Sequence, residues 1–236
     1  MGYKSNFRRY ELKYLLSAES AELLKQELLF SLSPDKYGPS TVRNVYYDTG
    51  DFRLIRRSIE KPIYKEKLRV RSYSKSGSSV FVELKRKYDG VVYKRRIALP
   101  ENCAEDWLSG RAEIAESSQI SREIQYFINY YPDLSPKVFL SYEREAYFLR
   151  GNDDFRVTFD KNILARTDGL SVSGDIRGER LLGEGSTLME IKCGGGIPLF
   201  ITEMLSRHRI YKSSFSKYGT AYKNIIMPML YKGVYK

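Results

Sequence analysis

The sequence predicts an α+β protein built mainly from antiparallel β-strands, with helices packed outside the sheet. Segments in which charged and apolar residues alternate with period two recur along most of the chain. Between and after them lie amphipathic stretches of helical period, some opened by a capping serine. The 236 residues, 42% hydrophobic, suffice for one substantial core. No repeat, linker or low-complexity stretch divides them, so residues 1–236 read as a single domain.

Phe7–Leu16 sets Arg9, Glu11 and Lys13 on one parity and Tyr10, Leu12 and Tyr14 on the other, which is a strand pattern. Ser17 caps a helix near Ala18–Leu29 with Leu23, Leu24 and Leu28 on one side. Ser33–Ser40, with its prolines and glycine, reads as a loop. Strands are expected at Thr41–Tyr47, Tyr64–Ser74, Val80–Tyr88 and Val91–Leu99. Asp89-Gly90 is a hairpin turn between the last two, and Ser74–Ser79 a longer turn. Cys103–Ser109 suggests a short helix, and Ser118–Tyr131 a longer one with Ile120, Ile124, Phe127 and Ile128 on its apolar side. Lys137–Arg150 and Asp154–Asp160 read as strands joined at Gly151-Asn152-Asp153. Weaker patterns at Asp168–Gly174 and Arg177–Leu181 precede a short strand, Leu188–Cys193. Pro198–Tyr211 and Ser216–Met227 read as helices, and Tyr231–Lys236 as a frayed tail.

Forty Lys and Arg against twenty-nine Asp and Glu give a net charge of +11. That balance suits an anionic partner: nucleic acid, a membrane surface or phosphorylated metabolites. The only cysteines, Cys103 and Cys193, argue against a disulfide framework and for a reducing, cytoplasmic setting. The polar, basic opening Met1–Tyr10 is not a signal peptide, and no apolar run has the length of a membrane span. Association with a membrane would then come through docking to a membrane protein. His208 is the sole histidine, which disfavours a His-based zinc site, a Ser-His-Asp triad and a Cys-His dyad. Any metal would be a hard cation held by carboxylates and phosphate oxygens. No P-loop sequence occurs, and Gly194-Gly195-Gly196 reads as a turn rather than a phosphate cradle.

The placement of charge narrows the choice. Arg69 and Arg71 flank Val70; Glu83, Lys85 and Lys87 alternate with Val82 and Leu84; Lys94 and Arg96 share a face; Glu190 and Lys192 flank Ile191. Arg9, Glu11, Lys13, Arg144, Arg156 and Asp160 join the series. On any one strand this is an ordinary solvent-facing pattern. As a series it is not, because two positive charges about 6 Å apart repel by roughly 2–3 kcal/mol at an effective dielectric near 20. If the sheet curls into a closed barrel, this face points inward and needs a polyanion or water to offset it. A phosphate chain offers oxygens along its length, which Arg grips in bidentate fashion.

The motifs Glu11-Leu-Lys13-Tyr, Leu68-Arg69-Val-Arg71, Glu83-Leu-Lys85, Lys94-Arg-Arg96, Ser141-Tyr-Glu-Arg144-Glu-Ala, Arg156-Val-Thr-Phe-Asp160, Glu190-Ile-Lys192 and Ser216-Lys217-Tyr218 occur in this order. Together they resemble the catalytic domain of the vacuolar transporter chaperone, a branch of the triphosphate tunnel metalloenzymes. Each motif is weak alone; the ordered set, from about residue 5 to 228, is specific. The resemblance implies a closed antiparallel barrel forming a tunnel with a basic interior and helices outside. It implies transfer of the ATP γ-phosphate to a growing inorganic polyphosphate chain with Mn2+ or Mg2+. It also implies phosphate binding by Lys13, Arg69, Arg71, Lys85, Lys94, Arg144, Arg156, Lys192, Ser216 and Lys217. Among these, Lys85, Arg69, Arg71 and Lys217 would carry catalysis. Glu190 would ligate the metal, while Glu11 and Glu83 would either join it or orient lysines. The hydrolase branch carries E-x-E-x-K on its first strand; here Arg9 replaces the first Glu, which favours the polymerase branch. The phosphate-sensing domain and membrane helices of eukaryotic members have no counterpart in these residues, so a standalone form is expected. A triphosphate or polyphosphate hydrolase on the same barrel is the alternative. A non-catalytic polyphosphate or nucleic-acid binder is another, with nucleic acid disfavoured because Tyr10 and Tyr14 lie opposite the charged parity.

Overall fold

The computed structural model describes residues 10–73, 79–114 and 118–234. Its elements run β1 (Tyr10–Leu16), α1 (Ala18–Leu28), β2 (Leu32–Pro34), β3 (Ser40–Asp48), α2 (Arg53–Ile59), β4 (Tyr64–Ser72), β5 (Val80–Tyr88) and β6 (Val91–Leu99). They continue with α3 (Glu101–Leu108), α4 (Gln119–Tyr130), β7 (Ser135–Leu149), β8 (Asn152–Arg166), β9 (Glu179–Arg180), β10 (Thr187–Cys193) and α5 (Leu199–Arg207). The chain closes with α6 (Lys217–Ala221), a π-helical turn (Tyr222–Ile226) and α7 (Met227–Val234). Arg9 and the turn residues Ser74–Ser78 lie outside the described residues.

The strands form one antiparallel sheet in the order β1-β10-β8-β7-β3-β4-β5-β6, with β2 added on β7 and β9 on β8. Register shifts at Tyr46/Tyr47, Ser141/Glu143 and Phe148/Leu149 mark bulges in the two long central pairings, which bend a sheet and increase its twist. The expected barrel closure is not found as backbone pairing: among the described residues no ladder joins β1 to β6. Side chains bridge the seam instead, with Lys85 of β5 reaching Glu11 of β1 at 2.7 Å.

Period-two patterning puts apolar residues on the outer face, where two helical layers cover them. Val45, Leu68, Val70, Val82 and Leu84 pack on Trp107 and Leu108 of α3 and on Ile124 and Phe127 of α4. Tyr14, Val157, Phe159, Met189 and Ile191 pack on Leu24 and Leu28 of α1 and on Ile201 and Met204 of α5. A third cluster fills part of the inner face, where Val42, Tyr46, Leu140, Tyr142 and Leu188 meet Tyr218, Ala221, Ile225 and Ile226. The C-terminal helix therefore packs inside the curl of the sheet rather than on its outside, unlike the expectation for helices.

Several local expectations change. Ser17 Oγ caps α1 by accepting from Ser20 N at 3.1 Å, yet Leu23 is 44% exposed; Ala21, Leu24 and Leu28 form the buried line, and Leu23 sits beside it. The Ser33–Ser40 loop contributes β2 and the start of β3. The weakly patterned Asp168–Gly174 is a loop. It wraps the Arg166 guanidinium, which donates to the carbonyls of Asp168, Gly169, Asp175 and Arg177. The tail is helical as far as Val234.

Helix α2 was not legible. Phe52 stands at its N-cap position with φ 59 and supplies no side-chain cap. The cap comes from upstream: Asp48 accepts from Leu54 N at 2.8 Å and Ile55 N at 3.0 Å, and Thr49 Oγ1 from Arg53 N at 2.8 Å. Asp48 also accepts from the Tyr218 hydroxyl at 2.9 Å, which ties β3, α2 and α6 together. Burial dominates Asp48 and raises its carboxyl above the ordinary range despite these bonds. Asp48→Ala leaves buried donors unpaired and should lower stability by about 3 kcal/mol or more. Denaturant titration checks this; a loss under about 1 kcal/mol would show that the helix start is capped some other way.

Candidate functional site: a cation-lined cavity

The inner face of the curled sheet encloses a cavity of about 1920 Å3. Among the described residues seventeen Lys and Arg side chains line it, against four carboxylates. Lys13, Arg69, Arg71, Lys85, Lys94, Arg144, Arg156, Lys192, Ser216 and Lys217 all border this one space. So do Glu11 and Glu190, while Glu83 lies beneath at 1% exposure.

Buried carboxylates organise the cations into nodes. On β5, Glu83 takes Arg69 at 2.7 Å, Arg71 at 3.8 Å and Lys94 in a very short contact. Burial would raise its carboxyl, but Lys94, Arg69 and Arg71 hold it well below the usual range. On β8, Asp160 takes Arg144 in a bidentate pair at 2.6 and 2.7 Å and Lys217 at 2.5 Å. On β10, Glu190 is surrounded by Lys192 and Lys217 at 3.2 Å, Arg144 at 3.5 Å and Lys13 at 3.6 Å. Glu11 binds Lys85 with both oxygens, at 2.7 and 2.9 Å; burial opposes its charge, but Lys85 and Lys192 prevail and lower it to about 2. Arg156 reaches Asp35 at 3.1 Å.

Neutral partners fix the guanidinium planes. Arg71 donates to Asn44 Oδ1 at 2.8 Å and to the Tyr142 hydroxyl at 2.9 Å, and Arg69 donates to the Tyr46 hydroxyl at 2.8 Å. Arg144 and Lys217 lie over the Tyr142 ring, at 5.0 and 4.6 Å, so this tyrosine joins the Glu83 and Asp160 nodes. The expectation that tyrosines avoid the charged parity holds for Tyr14, in the outer core, but not for Tyr46 and Tyr142, which share the face with the cations. Strand β4 was also underread: Lys65 and Lys67 continue the row of Arg69 and Arg71, and strict parity from Arg71 backwards signals both.

Lys67 stands apart. Among the described residues no carboxylate pairs with it; its Nζ lies 3.3 Å from Ser216 Oγ. Burial first, then Lys13, Lys85, Lys65 and Arg69, push its ammonium down to about 7. Lys94 and Lys192 are likewise driven to about 8, by burial against the pull of Glu83 and Glu190.

No group of three or more His, Cys, Asp or Glu suited to a metal occurs among the described residues. Glu11 and Glu190 are diagonal across the β1–β10 pair, since Glu11 faces Lys192 and Lys13 faces Glu190. Two carboxylates that border one cation-lined cavity fit a hard ion that would take its remaining ligands from phosphate and water. Cations hold all three carboxylates, but Glu11 and Glu190 border the cavity, whereas Glu83 lies beneath its lining at 1% exposure and does not fit that role.

A curled antiparallel sheet with a cation-lined interior defines a class of protein whose site suits an anionic ligand. Two solved structures share the fold. One, a candidate adenylate cyclase from Bacillus halodurans, is 16% identical with a TM-score of 0.57, covering 90% of this chain and 95% of that one. The other, a candidate adenylyl cyclase from Hippeastrum with a dominant triphosphatase activity, is 17% identical with a TM-score of 0.52, covering 90% and 93%. No curated protein matches the chain. The VTC domain model matches residues 8–226, and the chain belongs to the VTC domain family. No helix among the described residues is long and apolar enough to cross a membrane.

Glu83→Gln removes one charge from beneath three cations. Leaving buried ions uncompensated costs about 3–5 kcal/mol. The variant should lose stability of that order in denaturant titration, and a neutral result would show that the cations are held apart by other means.

Proposed function

We propose that this chain is a metal-dependent polyphosphate polymerase, a single catalytic domain that transfers the ATP γ-phosphate to a growing inorganic polyphosphate. The observation that carries this reading is the charge surplus of the cavity, seventeen cations against four lining carboxylates. One triphosphate with a divalent ion brings far too little negative charge to offset it. The volume, about 1920 Å3, also exceeds the roughly 300–1,000 Å3 of ordinary small-molecule pockets. A long phosphate chain answers both.

In this reading Lys13, Lys94, Arg144, Arg156, Lys192 and Ser216 bind phosphates. Arg69, Arg71, Lys85 and Lys217 surround the phosphoryl group in transfer and neutralise the charge that develops on it. Glu190, with Glu11, would hold Mn2+ or Mg2+, which would supply charge neutralisation to the phosphates. A terminal oxygen of the acceptor chain forms the new bond to the γ-phosphorus, the bond from that phosphorus to the β–γ bridging oxygen breaks, and ADP leaves with the electron pair. The acceptor oxygen is already ionised, so no general base is needed.

Hydrolysis by the same cavity is the second reading, favoured by the triphosphatase activity of the Hippeastrum neighbour. The cavity carboxylates oppose it. An efficient base for water has a pKa near the working pH, whereas Glu11 is held near 2 and Glu83 and Glu190 well below the ordinary value.

Incubation with ATP and Mn2+, followed by gel analysis of polymer length, tests the reading. Long polymer is expected, and Arg71→Ala or Lys85→Ala should reduce its synthesis by about 100-fold or more. Release of orthophosphate without polymer would favour hydrolysis instead. Bound phosphate should also restore charge on Lys67, whose ammonium sits at about 7 in the free cavity. Binding then takes up protons, and affinity falls as pH rises from about 7 to 9. Calorimetry in buffers of different ionisation enthalpy measures that uptake, and identical heats would contradict it.

A further inference from the structure

The chain leaves its core at Met227, which packs against the inner cluster of Tyr218, Ala221, Ile225 and Ile226. Beyond it α7 is open. Met229, Leu230 and Tyr231 are 56%, 46% and 58% exposed. Successive helical residues point about 100° apart, so three consecutive open positions leave more than half of the helix circumference uncovered. A helix resting on its own protein hides part of any such run. Thr167 Oγ1 touches Met229 Sδ at 3.9 Å, a contact too weak to cover it.

The open apolar stretch has a basic rim. Lys232 follows Tyr231 on α7, and Lys223 lies on the π-helical turn before it, both exposed. Tyr231 and Arg56 of α2 both lie within electrostatic reach of the Tyr222 hydroxyl, and the Tyr222 ring meets Phe52 at 5.6 Å. Helix α2 therefore borders α7, and it brings the exposed Arg56 and Arg57. Asp51, 3.9 Å from Arg56, and Glu60 flank the ends of α2, so the four cations keep a surplus.

We propose that α7, with the basic residues of α2, forms a docking surface for an anionic lipid bilayer, on which the helix lies with Met229, Leu230 and Tyr231 in the interface. Charge selects the occupant. A second copy would bring the same cations against these and carries +11 of its own. A bilayer with acidic headgroups offers the opposite sign, apolar depth for Met229 and Leu230, and an interfacial level that suits the Tyr231 ring. Each basic residue near such a surface strengthens attachment roughly fivefold. No helix among the described residues is long and apolar enough to cross the bilayer, so this contact is peripheral. Lys223 also borders the cation-lined cavity, and docking therefore sets the cavity beside the lipid surface. The inference does not depend on which reaction the cavity performs.

The test is co-sedimentation of the full chain with phosphatidylcholine vesicles, with and without phosphatidylserine. Binding is expected to the phosphatidylserine vesicles, weakening as salt rises, and not to phosphatidylcholine alone. Leu230→Glu should reduce it by about tenfold or more. Leu23→Glu places the same charge on an exposed leucine of α1 and should bind as the unaltered chain does. Equal binding by Leu230→Glu and the unaltered chain overturns the proposal. Equal losses in the two variants do so as well, since they assign the effect to net charge. If the unaltered chain ignores phosphatidylserine vesicles, or forms dimers that Leu230→Glu dissolves, the face belongs to a protein and the proposal fails. None of these outcomes touches the polymerase reading, which stands or falls on its own product analysis.

Discussion

The fold depends on keeping a crowd of buried positive charges together. Arg69, Arg71, Arg144 and Lys217 are inside the curl of the sheet, close enough to repel one another strongly in a medium poorer than water. Glu83 and Asp160 make that arrangement tolerable. Each lies under the cations at 1% exposure or less, where no ligand reaches it, and each draws cations from two or more elements. Their oxygens are spent on structure, while the guanidinium groups they hold line the cavity. Preorganisation of this kind lowers the cost of orienting charge when an anion arrives.

The supporting layers follow from that constraint. A strand that carries cations inward must carry something apolar outward, and Val70, Val82, Leu84, Val157 and Ile191 do so. Helices α1, α3, α4 and α5 cover these residues. The C-terminal helix has a different task. It packs inside through Tyr218, stacked on Tyr46 at 4.9 Å and bonded to Asp48 at 2.9 Å, and so delivers Lys217 to Asp160. The Asp48 cap of α2 and the placement of a cavity lysine therefore share one carboxylate.

Much of this was legible because parity in a strand is local. The alternation in Tyr64–Ser74, Val80–Tyr88 and Leu188–Cys193 named the inward face without any tertiary information. The features that escaped are those set by distant contacts. Helix α2 is capped by a residue of the preceding strand, and the 168–178 segment takes its path from one guanidinium. Tyr46 and Tyr142 look like core residues until their hydroxyls meet Arg69 and Arg71. The two outer edges illustrate the remaining gap. Period two predicts inward charge but not whether the last amides pair, and here an ion pair, Lys85 to Glu11, spans the seam where a ladder was expected.

The same carboxylates bear on the chemistry. A carboxylate held ionised far below neutral pH by several cations is a weak acceptor of protons, so it is a poor activator of water. It is a good anchor for cations, and cations are what phosphoryl transfer between two already ionised phosphates demands. A site built for hydrolysis gains from a base tuned near the working pH, and in this cavity the neighbouring cations hold Glu11, Glu83 and Glu190 lowered, against the opposing effect of burial. The physical bias of the cavity is therefore towards an acceptor that needs no deprotonation. In the proposed reading a phosphate chain is that acceptor, and the positive charge of the cavity, which continues through Lys65 and Lys67 past the braced nodes, suits its length.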